Sequence, residues 1–110
     1  MADINVNEIL EKMLNAAKGV LQNHWEDAKP FAEQELKSLA ENLKLISQLK
    51  LEGKINEEQA KYYVDIQKSS VRIVLLTIEG LGIIAVESAI NAALDVIKTT
   101  VNKAIGWSII

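Results

Sequence analysis

Leu51-Glu52-Gly53-Lys54-Ile55-Asn56-Glu57-Glu58-Gln59 reads as the end of one helix and the start of another. Gly53 suits the left-handed residue that follows a helix C-terminus. Asn56 suits the N-cap of the next helix, with Gln59 three residues on to complete a capping box. Glu57 and Glu58 place negative charge at the positive end of that helix. Ile55, just before the cap, can staple onto Ala60. Loss of such a cap typically costs ~1 kcal/mol. The stretch predicts a chain reversal over residues 52–56 between two long helical regions.

Upstream, apolar residues recur at helical spacing. Ile9, Leu10, Met13, Leu14, Ala17, Val20, Leu21 and Ala28 fall on one arc of a helical wheel. Glu8, Glu11, Lys12, Asn15, Lys18, Gln22 and Glu26 fall on the other. An amphipathic helix from about Asn5 to Ala28 is expected. Pro30, the only proline, then leaves two readings. Asp27 caps a new helix with Pro30 in its first turn, or one long helix kinks there. Phe31, Ala32, Leu36, Leu39, Leu43 and Ile46 continue the apolar pattern to Leu51.

Downstream the pattern changes. Lys61, Asp65, Lys68, Ser69, Arg72 and Glu79 make one narrow polar stripe, and nearly everything else up to Val86 is apolar. Glu87, Ser88, Asn91, Asp95, Lys98 and Asn102 make a second stripe, rotated by about a quarter turn on the same wheel. Gly80-Leu81-Gly82 lies between them. Because Thr77-Ile78 and Ile83-Ile84 on either side are largely apolar, whereas turns are usually polar, a bend in a long helix is preferred there over a turn. The reading is thus all-α, one helical domain over residues 1–110. It is an antiparallel helical hairpin or a four-helix bundle of segments about 22–24 residues long, each ~35 Å. A bare hairpin would leave its apolar seam exposed and would have to dimerise.

The chain has 110 residues, 49% hydrophobic and 25% charged, with 5% aromatic, no cysteine and one histidine. Disulfide scaffolds and thiolate chemistry are excluded. Fifteen acids against 12 bases, with Arg72 the sole arginine, leave no cationic footprint for nucleic acid. Met1-Ala2-Asp3-Ile4-Asn5 shows no basic or apolar leader, so a cytoplasmic location is expected by default. Arg72, Glu79, Glu87 and Asp95 interrupt the apolar run Val71–Ile97, and each charge near a bilayer centre costs ~2.5–3.5 kcal/mol. A membrane partner is therefore not expected.

No nucleophile elbow, phosphate loop, dinucleotide fingerprint or His-Glu-x-x-His occurs. No catalytic residue and no cofactor are assigned. His24, on the apolar arc, is a candidate metal ligand or general base, with Glu35, Glu79 and Glu87 as the inward carboxylates that would have to join it. The competing reading makes His24 a packed core histidine and puts Glu79 and Glu87 on solvated stripes or in pairs with Arg72 and Lys98. Arg72 and Glu79 share a face seven residues apart, suited to setting register between helices or simply to facing water. Tyr62, Tyr63, Trp25 and Trp107 are candidate contact anchors. The apolar tail Ile105–Ile110 is expected to dock on the bundle or on a neighbouring subunit.

The leading expectation is a non-enzymatic structural or protein-interaction module. It would self-associate, as a dimer or higher oligomer, through its apolar C-terminal half, with Arg72, Leu75, Leu76, Ile83, Ile84, Ile90 and Trp107 at the interface. The alternative is a small bundle with an internal metal or apolar-ligand site near His24. A weaker one is a membrane-active helical protein.

Overall fold

The computed structural model describes residues 4–110; Met1–Asp3, part of the stretch read above for a leader, lie outside the described residues. These residues form four α-helices: α1 (Val6–Leu21), α2 (Trp25–Leu51), α3 (Glu57–Leu76) and α4 (Ile83–Ile105). A single 3-10 turn, Gln22–His24, joins α1 to α2. Successive helices run antiparallel. Trp25, Lys29 and Glu33 of α2 share a groove with Lys18, Leu14 and Asn7 of α1. Ser70 of α3 donates to Glu35 of α2 at 2.6 Å, and Arg72 of α3 meets Glu87 of α4.

The reversal at residues 52–56 takes the form its chemistry demands. Gly53 has φ +69°, its N–H donates to the Lys50 carbonyl, and the Lys54 N–H donates to the Leu49 carbonyl. That is a Schellman closure, which uses carbonyls the helix end would otherwise orphan. The Asn56 side chain accepts from the Gln59 N–H at 2.8 Å, and the Gln59 side chain accepts from the Asn56 N–H at 3.0 Å. The capping box is complete.

Two other junctions differ from expectation. The first helix does not run to Ala28; it ends at Leu21, where Gln22 takes φ +45° and turns the chain. Leu21 and Trp25 are both buried across this turn, while Gln22 and Asn23 face water. The apolar arc therefore continues across a break that carries no glycine or proline. Asp27 is not the cap but stands in the first turn of α2, and Pro30 lies one turn further in. Pro30 leaves the Glu26 carbonyl without its helical donor. Both residues are exposed, so water can serve that carbonyl.

At Gly80-Leu81-Gly82 the chain reverses instead of bending. α3 stops at Leu76, where the Thr77 hydroxyl donates to the Val74 carbonyl at 2.6 Å, and Gly80 takes φ +91°. Ile78 and Leu81 fold inward and are buried. The turn is apolar because it closes the end of the core.

α1, α2 and α4 pack on one another around Met13, Leu39, Leu43, Ile46, Val86, Ile97 and Val101, all almost wholly buried. Small residues, including Ala17, Ala28, Ala32, Ala40, Ala89 and Ala93, line the same interior. They let the helices approach closely and leave an aliphatic core in which Trp25 is the buried aromatic. α3 packs against α2 and less extensively against α4, and its backbone stays away from α1, which lies diagonally across the bundle. Only Ala60, Val64, Val71 and Leu75 of its 20 residues are buried. After α4 the tail turns back at Gly106. Asn102 accepts from the Ile109 and Ile110 N–H groups at 3.1 Å each and donates to the Ile110 carbonyl at 3.2 Å. Among the described residues, no helix is long and apolar enough to cross a membrane.

Candidate interaction surface

α3 has two apolar faces. One, through Ala60, Val64, Val71 and Leu75, closes the core. The other points away from the chain. Tyr62, Ile66, Ile73 and Leu76 are 63%, 62%, 65% and 40% exposed. With Ser69 they are spaced four, three, four and three residues apart, which is the a/d spacing of a helix built to pack against another helix. The amphipathic requirement that α3 stay helical is met by the core face alone. The outer row is additional.

The row runs along a shallow groove lined by Tyr62, Asp65, Ile66, Ser69, Ile73 and Val74. Near the 52–56 turn it merges with a second depression formed by Leu49, Ile55, Tyr63 and Ile66. On α2, Glu35 holds Ser70 of α3, and Phe31 lies one turn before Glu35. Phe31, Leu45 and Leu51 of α2 are exposed. The apolar surface reaches α2 at Leu49, near the 52–56 turn.

The α4 side is charged. The Arg72 guanidinium grips Glu87 through Nε and through Nη2 at 3.3 Å, and its Nη1 lies 3.4 Å from the Ser69 hydroxyl. The hydrogen bond from Arg72 holds the Glu87 carboxyl below the usual carboxylate range, with Lys68 adding a weaker attraction. Reciprocally, the bond to Glu87 raises the Arg72 pKa. Both side chains remain about one-third exposed, so water screens the pair.

The residues singled out for metal binding are not brought together. His24 sits in the α1–α2 turn with its ring against Gly80, Glu35 bonds Ser70, Glu87 bonds Arg72, and Glu79 faces water in the α3–α4 turn. Among the described residues, no group of three or more histidines and carboxylates could hold a metal ion. A cavity of about 60 Å³ lies between Ile4, Ile9, Ile97 and Val101, at the end of the bundle away from His24.

The expected interface residues divide. Leu75 and Ile90 are buried in the chain's own core, which corrects their assignment to a contact surface: an intact fold cannot offer them to a partner. Leu76, Ile83 and Ile84 are exposed, and Arg72 flanks the outer row of α3. Trp107 docks within the chain. The Lys50 ammonium lies 4.7 Å from its ring centroid and donates to the Ile105 carbonyl, tying α2 to the end of α4. Arg72 takes Glu87, not Glu79, as its partner. Ile66 and Ile73 complete the row without a motif to announce them; their one legible signal is the a/d spacing from Tyr62, Ser69 and Leu76.

No protein-family model matches the chain, and no curated protein or solved structure matches it.

Proposed function

We propose that this protein is a non-enzymatic structural or protein-interaction module that self-associates through the outer face of α3. The observation that carries this reading is the row Tyr62, Ile66, Ile73 and Leu76, left in water on a helix whose opposite face is already buried. Single exposed apolar side chains need no explanation. A contiguous row at a/d spacing is a helix-packing surface without its helix. We place the seat of association on α3 because α4 buries most of its apolar residues within the chain, whereas its exposed Ile83, Ile84 and Val96 do not form such a row.

Burial is the mechanism. Full burial of an isoleucine side chain contributes ~1.5–3 kcal/mol, and Ile66 and Ile73 still have nearly two-thirds of that to gain, about 1–2 kcal/mol each. Two residues in each of two copies give ~4–8 kcal/mol, comparable with the lower estimates of the entropic cost of association. Tyr62, Leu76 and the α2 edge would supply the surplus.

Multi-angle light scattering across a range of concentrations tests the proposal. The wild-type chain should be at least dimeric. The double variant Ile66→Ser/Ile73→Ser should be monomeric with an unchanged helical circular-dichroism spectrum. A wild-type chain that stays monomeric at every concentration overturns the reading.

A further inference from the structure

The charges beside the outer row of α3 specify how a second copy would lie on it. This step rests on the self-association proposed above. We infer that the partner is a second copy of this chain, packed antiparallel along α3, with Asp65 of each copy facing Arg72 of the other.

The argument is one of register. Two helices meeting through a/d rows can run parallel or antiparallel, and the orientation decides which flanking residues face each other. On α3 one flank carries Tyr63 and Ser70, next to α2. The other carries Asp65 and Arg72, next to α4. In a parallel pair, residues of one flank meet residues of the opposite flank one step along. Asp65 would then meet Ser70, Arg72 would meet Thr77, and no opposite charges would come together. Ser69 would stack on Ser69, placing a polar layer at the middle of the seam.

In an antiparallel pair, like flanks meet. Aligning the row so that Ile66 packs against Ser69 of the second copy also packs Tyr62 against Ile73 of that copy. Each large side chain then faces a smaller one, and neither serine faces a serine. The same alignment brings Asp65 opposite Arg72, and the two-fold axis produces that pair twice. The apolar flanks meet on the other side, so Tyr63 and the α2 edge approach their counterparts.

Arg72 is prepared for this. Its Nε and Nη2 are occupied by Glu87, while Nη1 points back over Ser69, toward the middle of the row. Asp65 is exposed and, among the described residues, has no cation within ion-pair distance. Lys68, close enough to act on Glu87, keeps the cluster of Asp65, Lys68, Arg72 and Glu87 balanced at two charges of each sign.

Two measurements test the orientation. The chain has no cysteine, so introduced thiols are unambiguous reporters. Tyr62→Cys and Ile73→Cys chains, mixed under mild oxidation, should form a disulfide-linked heterodimer, and each alone should form little. A Tyr62→Cys chain that cross-links mainly to itself indicates a parallel pair and overturns the inference. Asp65→Arg, which sets like charges against each other across the seam, should weaken the dimer at least ten-fold by light scattering, and Asp65→Glu, which keeps the charge, should weaken it little. An unchanged dimer in Asp65→Arg, or a dimer without the mixed cross-link, overturns the antiparallel seam while leaving self-association standing. A monomeric wild type overturns both.

Discussion

Gly80→Ala probes the least expected feature of the fold, the reversal between α3 and α4. Gly80 sits at φ +91°, and a Cβ placed there would stand 3.0 Å from His24 Cε1. An L-residue forced into the left-handed region loses roughly 1–2 kcal/mol. The contact with the imidazole adds to this, because the ring must shift by a few tenths of an ångström, so a total of about 2 kcal/mol is expected. For a domain of this size ~1 kcal/mol lowers the melting temperature by about 4 °C, which predicts a fall of ~8 °C. Two internal controls separate the contributions. Gly53 also has a positive φ, +69°, but open space around it, so Gly53→Ala should lose about 1 kcal/mol from the backbone alone. Gly82 has φ −91° and nothing within 4 Å. Gly82→Ala weakens an N-cap slightly and restricts the unfolded chain, so it should change stability by less than ~0.5 kcal/mol. The assay is thermal or urea unfolding followed by circular dichroism at one fixed protein concentration, since association would itself shift the midpoint. In a His24→Ala background the excess cost of Gly80→Ala over Gly53→Ala should disappear. If Gly80→Ala is no worse than Gly82→Ala, residue 80 is not left-handed, and a continuous bent helix replaces the reversal.

Other expectations follow from single contacts. Asn56→Ala removes one arm of the capping box and should destabilise the chain by ~1 kcal/mol in urea unfolding. Gln22→Gly relieves the positive φ at the α1–α2 turn and should stabilise by about 1 kcal/mol, measured the same way. Glu87 ionises more readily folded than unfolded, because Arg72 donates to its carboxylate. Its contribution to stability is complete above the ordinary carboxylate range and is lost as pH falls through the lowered folded value. Glu87→Gln should therefore flatten the acid limb of the stability–pH curve below about pH 4.5 and leave the neutral limb parallel to wild type. Asn102→Ala removes all three side-chain hydrogen bonds to the tail, so the Ile109 and Ile110 amides should exchange with deuterium at least ten-fold faster while the α1–α4 core stays protected.

The legible junction and the misread ones differ in where their causes lie. The reversal at residues 52–56 is written in nine consecutive residues, because a Schellman closure and a capping box are local chemistry. The reversal at residues 77–82 is driven from a distance. Ile78 and Leu81 make the turn look helical in composition because they plug the end of the core, and no neighbour in sequence announces that. At Gln22 a polar residue takes a conformation usually left to glycine or asparagine, and the apolar arc carries on across it into Trp25 and Ala28. A wheel reads that continuity correctly as burial and wrongly as one helix.

The same limit explains the interface residues. Leu75 and Leu76 are adjacent, equally apolar and fated to opposite faces; so, at the start of α4, are Ile84 and Val86, two residues apart. A wheel shows apolar residues on two sides of α3, but the partner helices decide which side is core. Once α2 and α4 have taken Ala60, Val64, Val71 and Leu75, the surplus has a definite place and spacing. If α3's outer face were only solvent-facing, lysine or glutamate at positions 62, 66, 73 and 76 would keep its helix propensity and improve solubility. Tyrosine, isoleucine and leucine at a/d spacing do neither, and two of the four are β-branched residues that an exposed helix surface gains nothing from. Their cost to an isolated monomer is the physical reason to look for the surface that covers them.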